Sequence, residues 1–250
     1  MDNANHDAPC SAAKSLANII FLVDASESIN DEKFEAINTA LQEFVPFIRE
    51  FGQADESVKV QCSVLCFNEY ANWVAKTIEA SQFYWPHMNR RKGPARLDSA
   101  YMELLLKLTR GQDGFMQAHR NKCPIIILVA GWDIAGNIDT ALSILKRNTW
   151  FQRSTKFAVY LPALWRSNTM YMHLRKFVNN IEENIVSLDR SLDKLKNVLM
   201  NIEIPSFGGS SNGIDDVCYE SCHAFAEDQN IEDWSDIGDI DDFDWENIDV

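Results

Sequence analysis

Asn18-Ile19-Ile20-Phe21-Leu22-Val23-Asp24-Ala25-Ser26-Glu27-Ser28 is the stretch from which the rest of the chain can be read. Five consecutive apolar residues, Ile19 to Val23, predict a strand buried on both faces, which is the habit of a central parallel strand. It runs straight into Asp24, Ser26 and Ser28. Oxygen donors at the carboxyl end of a parallel strand stand where open α/β sheets place their ligand sites. A carboxylate and two hydroxyls at alternate positions of a turning loop can converge on one small, hard cation such as Mg²⁺. The same residues also suit plain helix capping, with Ser28 or Asn30 as the cap and Asp31 and Glu32 favourable in the first turn.

Outward from this stretch, Phe34, Ile37, Leu41, Phe44, Ile48 and Phe51 recur in steps of three and four and predict a helix. Pro46 is expected to kink it or split its last turn, and Gly52 to end it. Val58 to Phe67 reads as a strand, and Ala71 to Ala80 as its hairpin partner at a sheet edge after the turn Asn68-Glu69-Tyr70. Ser81 to Ala95 reads as a loop carrying Arg90-Arg91-Lys92. A helix follows with Leu97, Tyr101, Leu104, Leu105 and Leu108 facing inward and Gly111 closing it. Pro124 to Ala130 is the second wholly apolar run. Beyond it come a helix with Ile138, Leu142 and Leu145, a strand at Lys156 to Leu161, and a helix from Asn168 with Met170, Leu174, Phe177 and Ile181. A short strand at Asn184 to Leu188 and a helix from Asp189 complete the series. The order β-α-β-β-α-β-α-β-α-β-α predicts an α/β fold: a doubly wound, mostly parallel sheet with one antiparallel edge strand and helices on both faces.

Charge is distributed unevenly. Of 37 acidic residues in 250, fourteen lie between Ser206 and Val250, where there is no Lys or Arg. Residues 1–205 therefore balance, and the terminal stretch carries the whole formal charge of −14. A neutral body argues against direct nucleic-acid binding, which needs surplus Lys and Arg to displace counterions. No apolar run reaches membrane-spanning length and the first residues lack a basic start, so the expectation is a cytoplasmic protein with no membrane partner. Cys62, Cys66 and Cys123 read as core thiols. Cys218 and Cys222-His223 supply three local ligands, short of the four of a structural zinc site.

The strand, the Asp24-x-Ser26-x-Ser28 loop and the amphipathic helix after it resemble the von Willebrand factor A domain and its metal-ion-dependent adhesion site. The resemblance covers roughly Ala17 to Glu203 and is nearest the bacterial TerY-like branch associated with tellurium-resistance and stress operons. It implies a Rossmann-like body over residues 17–204, after a flexible segment 1–16 and before a Gly/Ser-rich linker, 205–214, and an acidic-aromatic tail, 215–250. It implies Mg²⁺ as the cofactor, held by Asp24, Ser26 and Ser28 with donors from two further loops. In those loops Ala95 stands at the usual threonine and Ala130 at the usual aspartate, so the site is incomplete and its metal affinity should be low. Asp98 and Asp133 lie near enough in sequence to compensate in part.

The function implied is non-enzymatic: a protein-binding module whose partner, a kinase or phosphatase in the related branch, meets the carboxyl-end face of the sheet. Candidate partner-binding residues are Arg90, Arg91, Lys92 and Asp133. No glycine-rich phosphate loop and no nucleophile-base set stand out to suggest catalysis, and His87, His119 and His173 are isolated. An alternative makes the tail the active part. Trp234, Phe243 and Trp245 interleave with its acids, a pattern that fits a segment folding into a basic apolar groove or mimicking nucleic acid.

Overall fold

The computed structural model describes residues 14–117, 121–131, 134–160 and 168–187. Strands β1 (Ser15–Asp24), β2 (Val58–Phe67), β3 (Ala71–Glu79), β4 (Ala95–Arg96), β5 (Ile125–Ala130), β6 (Ile134–Ala135), β7 (Thr155–Tyr160) and β8 (Ile185–Ser187) alternate with helices α1 (Asp31–Gln53), α2 (Leu97–Lys107), α3 (Ile138–Leu145), α4 (Thr149–Arg153) and α5 (Asn168–Phe177). Six strands form one sheet in the order β3-β2-β1-β5-β7-β8. All neighbours are parallel except the β2–β3 hairpin at the edge. The predicted α/β architecture, including its single antiparallel edge strand, is present. The helix expected from Asp189 and the stretches called linker and tail lie outside the described residues.

The two wholly apolar runs lie side by side at the centre, Ile19 to Val23 of β1 against Ile125 to Val129 of β5. Alternation sends Ile19, Phe21 and Val23 toward the stripe of α1, in a cluster with Phe34, Ile37, Leu41, Phe44 and Ile48. Ile20 and Leu22 point the other way and are equally buried, so both faces of the sheet are covered. Each such side chain contributes about 1.5–3 kcal/mol by leaving water. On the second face α2, α4 and α5 meet through rings: Tyr101 stacks on Phe177 at 5.9 Å, and Phe151 lies 5.8 Å from Phe177.

Several local expectations are corrected. Helix α1 is capped by the Asn30 side chain, which accepts from Lys33 N–H, and it runs through both Pro46 and Gly52. Pro46 is on the exposed face, where the carbonyl one turn back loses its helical donor to water rather than to a dry interior. Gly52 is a close-approach residue, since a Cβ there would lie 2.7 Å from that of Ala80. Helix α2 ends at Lys107, short of Gly111, and Leu105 is only half-buried. Ile181 is exposed beyond the end of α5, and Cys123 is exposed, whereas Cys62 and Cys66 are core residues as expected. No helix among the described residues is long and apolar enough to cross a membrane.

Candidate functional site at the carboxyl end of the sheet

After β1 the chain pairs β2 on one side, and after α2 it returns to pair β5 on the other. Between β1 and β5 the direction of winding reverses, and the loops leaving their carboxyl ends diverge around a crevice. Asp24, the last residue of β1, stands at its floor and is fully buried. One carboxylate oxygen accepts from Ser26 N–H at 2.9 Å and the other from Gly131 N–H, just past β5, at 3.0 Å. Ser26 Oγ and Ser28 Oγ lie 2.7 Å apart in a hydrogen bond. Ser26 is buried and Ser28 is exposed. Gly131 suits this approach, because a Cβ there would stand 3.0 Å from Asp24 Oδ2 and 3.2 Å from Ile29, tight contacts that would make the neighbours shift.

The segment before α2 is bound to this floor by its backbone. Arg91 N–H donates to the Ala25 carbonyl at 2.7 Å, and Glu27 N–H to the Gly93 carbonyl at 3.3 Å. Asn68, in the β2–β3 turn, is the hub that sequence reading missed. Its amide donates to the Lys92 carbonyl at 2.7 Å, and its own carbonyl accepts from Arg96 N–H at 2.7 Å. Its signal was the Asx residue that opens the hairpin turn, a position at which side chains habitually bond to backbone. The two-residue strands β4 and β6 pair in parallel and join the loop before α2 to the loop after β5.

The three adjacent basic residues have different situations. Arg90 forks onto Asp31, with Nε to Oδ1 at 2.7 Å, and also donates to the Glu27 carbonyl at 3.2 Å. Arg91 and Lys92 are exposed. The thiol of Cys66, paired across the strands with Val23, is pushed up to about 11, first by burial. The positive charge of Arg91 opposes that shift and the negative charge of Asp24 adds to it. Asp133, Trp234, Phe243 and Trp245 lie outside the described residues.

Asp98 does not turn to the Asp24 loop. It is forked by Arg96 at 3.0 Å for both contacts and accepts from the N–H groups of Ser99 and Asn137 at 3.0 and 3.1 Å. Burial pushes its pKa up, yet Arg96 and the two backbone donors hold the carboxyl below its ordinary value. Its expected role as a compensating metal ligand is therefore withdrawn; it fastens α2 to the turn before α3.

Mg²⁺ needs a near-octahedral set of oxygens and leans on carboxylate charge. Here Ala95 and Ala130 are fully buried and present only methyl groups, while the oxygens of Asp24 already accept backbone bonds. Among the described residues no three His, Cys, Asp or Glu side chains gather where they could hold an ion. Among the described residues, which do not include Asp133, one carboxylate and two mutually bonded hydroxyls do not make a set that fits a resident divalent metal.

Solved structures share the architecture. Proximal thread matrix protein 1 of the mussel byssus matches over 76% of this chain and 46% of its own, with 14% identity and a TM-score of 0.52. Its form described with a zinc-occupied MIDAS motif matches over 75% and 46%, with 13% identity and a TM-score of 0.51. A second crystal form gives 16% identity and a TM-score of 0.50 over 75% and 47%. The chain thus spans less than half the length of these neighbours. Identity this low shows the fold alone, that of a von Willebrand factor A domain. No family profile matches the sequence, and no curated protein sequence matches it.

Proposed function

We propose that this chain is a non-enzymatic interaction module of the von Willebrand A type, taking a protein partner on the carboxyl-end face of its sheet. The observation that carries the reading is the way three loops are locked together at that face. The Asp24 loop, the Arg91–Gly93 segment and Gly131 are bonded to one another through backbone groups. Ser28, Arg91 and Lys92 are left exposed on the outside. A scaffold that spends its buried polar groups on holding loops still, and presents exposed polar groups at the rim, is built to be recognised. In the same reading the protein works in the cytoplasm, in the TerY-like branch, with a kinase or phosphatase of a bacterial stress response as its partner.

Affinity capture with the full chain, followed by cross-link mapping, tests this. Partner cross-links are expected at Ser28, Lys92 and Tyr70, and a Ser28→Ala/Lys92→Glu chain should capture less. Capture that is undiminished in that variant, with cross-links elsewhere on the body, would sink the reading. The second reading is favoured by the aromatic residues spaced among the tail acids, Trp234, Phe243 and Trp245. It predicts cross-links concentrated in residues 215–250 instead.

A further inference from the structure

The segment that ends in the buried methyl of Ala95 also carries a fixed positive charge, Arg91. Arg91 is fastened by its N–H to the carbonyl of Ala25, the residue between Asp24 and Ser26. Its side chain is exposed at the rim, and its charge is felt at Cys66, the β2 residue paired with Val23. Of its basic neighbours, Arg90 is engaged with Asp31 and the Glu27 carbonyl and Arg96 with Asp98, while Lys92 is exposed beside it. Among the described residues Arg91 has no carboxylate partner. A guanidinium is charged at every working pH, is planar, and presents paired N–H donors that match the two oxygens of a carboxylate. The Ser28 hydroxyl, exposed on the neighbouring loop, offers a further donor.

We propose that Arg91 is the built-in cation of this face, pairing through its two-pronged guanidinium with an acidic side chain of the protein partner, beside Ser28 and without a divalent metal. This rests on the reading that the partner docks here, and it departs from the metal-bridged contact that the fold family implies. An anion placed on this rim meets a charge that needs no loading and cannot be stripped by a chelator. Mg²⁺ offered to the site meets the methyl groups of Ala95 and Ala130.

The test is a titration of the isotope-labelled full chain with a hexaglutamate peptide, followed by backbone amide NMR, once in EDTA and once in millimolar Mg²⁺. Physiological ionic strength confines the chain's net charge of −14 to a screening distance of about 8 Å. Signals of Ser28, Arg91 and Gly93 should move alike in both buffers. Arg91→Ala should weaken the peptide about tenfold, the scale of one charge-assisted contact, with Arg91→Lys between it and the native chain. Shifts at these amides that require Mg²⁺, or that persist undiminished in Arg91→Ala, overturn the built-in cation and leave the docking face standing. Shifts confined to surfaces away from this face overturn both. No shift at any peptide concentration overturns the acidic ligand.

Discussion

Asp24 and His173 are both buried polar side chains held in different ways, and His173 Nδ1 has no hydrogen bond among the described residues. Asp24 is held by backbone N–H groups, Ser26 from its own loop and Gly131 from the loop after β5. His173 on α5 is held by side chains: Nε2 meets the Tyr101 hydroxyl of α2 at 2.9 Å, and Nδ1 lies 3.5 Å from Asp139 of α3. Burial lowers the His173 pKa; the Asp139 carboxylate opposes that, and Lys176 and Lys146 reinforce it. Backbone donors carry no proton that pH can remove, so the first centre is a brace that only protonation of its carboxylate acceptor would loosen. The second joins three helices through an imidazole whose pKa is lowered by burial, so it answers to solution conditions.

Four measurements would break or sharpen that contrast. Asp24→Ala leaves two buried N–H groups without acceptors and should cost about 2–4 kcal/mol in urea unfolding, with Asp24→Asn losing less. A cost under the level of a surface mutation would show that the brace is not one.

The His173 centre should appear as a pH dependence. The folded pKa lies below the ordinary 6.5, so the unfolded chain takes up its proton first. Stability is therefore lost as pH falls below about 6.5 and until the folded value is passed, by at most about 1.4 kcal/mol per pH unit. Asp139, exposed and paired with Lys176, has a lowered pKa and adds its own loss only further into acid. His173→Gln should abolish the slope between neutrality and mild acid. An unchanged slope would assign it to another group.

Gly131→Ala asks whether the brace tolerates crowding. With contacts of 3.0 to 3.4 Å to Asp24, Ile29 and Ser28, it should cost about 1 kcal/mol. The smallest effect expected is none: melting curves in EDTA and in Mg²⁺ should coincide. A metal bound only by the folded chain at a hundred times its Kd would add about 2.7 kcal/mol, and a gain of that order would contradict the fit of the donor set.

What could be read from the sequence follows the length of the signal. The runs at Ile19 to Val23 and Pro124 to Ala130 are long and uninterrupted, and they are the paired central strands. The alternation of β2 and the turn at Asn68 disclosed the hairpin. Strands β4 and β6, two residues each, and the five-residue α4 are too short for any period to show. Gly52 was misread as a stop because its close approach to Ala80 is a tertiary fact, and the helix does not split at Pro46. At the site, Asp24, Ser26 and Ser28 were legible as a motif. The pairing of Asp24 with Gly131, over a hundred residues away, and the hub at Asn68 were not, since each is a contact made only by folding.

The short β4–β6 ladder has a mechanical consequence. Helix α2 starts at Leu97, directly after β4, and α3 starts at Ile138, three residues past β6, with Asp98 pinning the Asn137 N–H. Load applied to either helix is passed to the other through the ladder and the Asp98–Asn137 bond. A visitor to the rim meets a surface already set, and little of its binding energy goes to ordering loops. Association should then resemble a key entering a cut lock, with free and bound loops superposing closely, rather than a hand closing on its object.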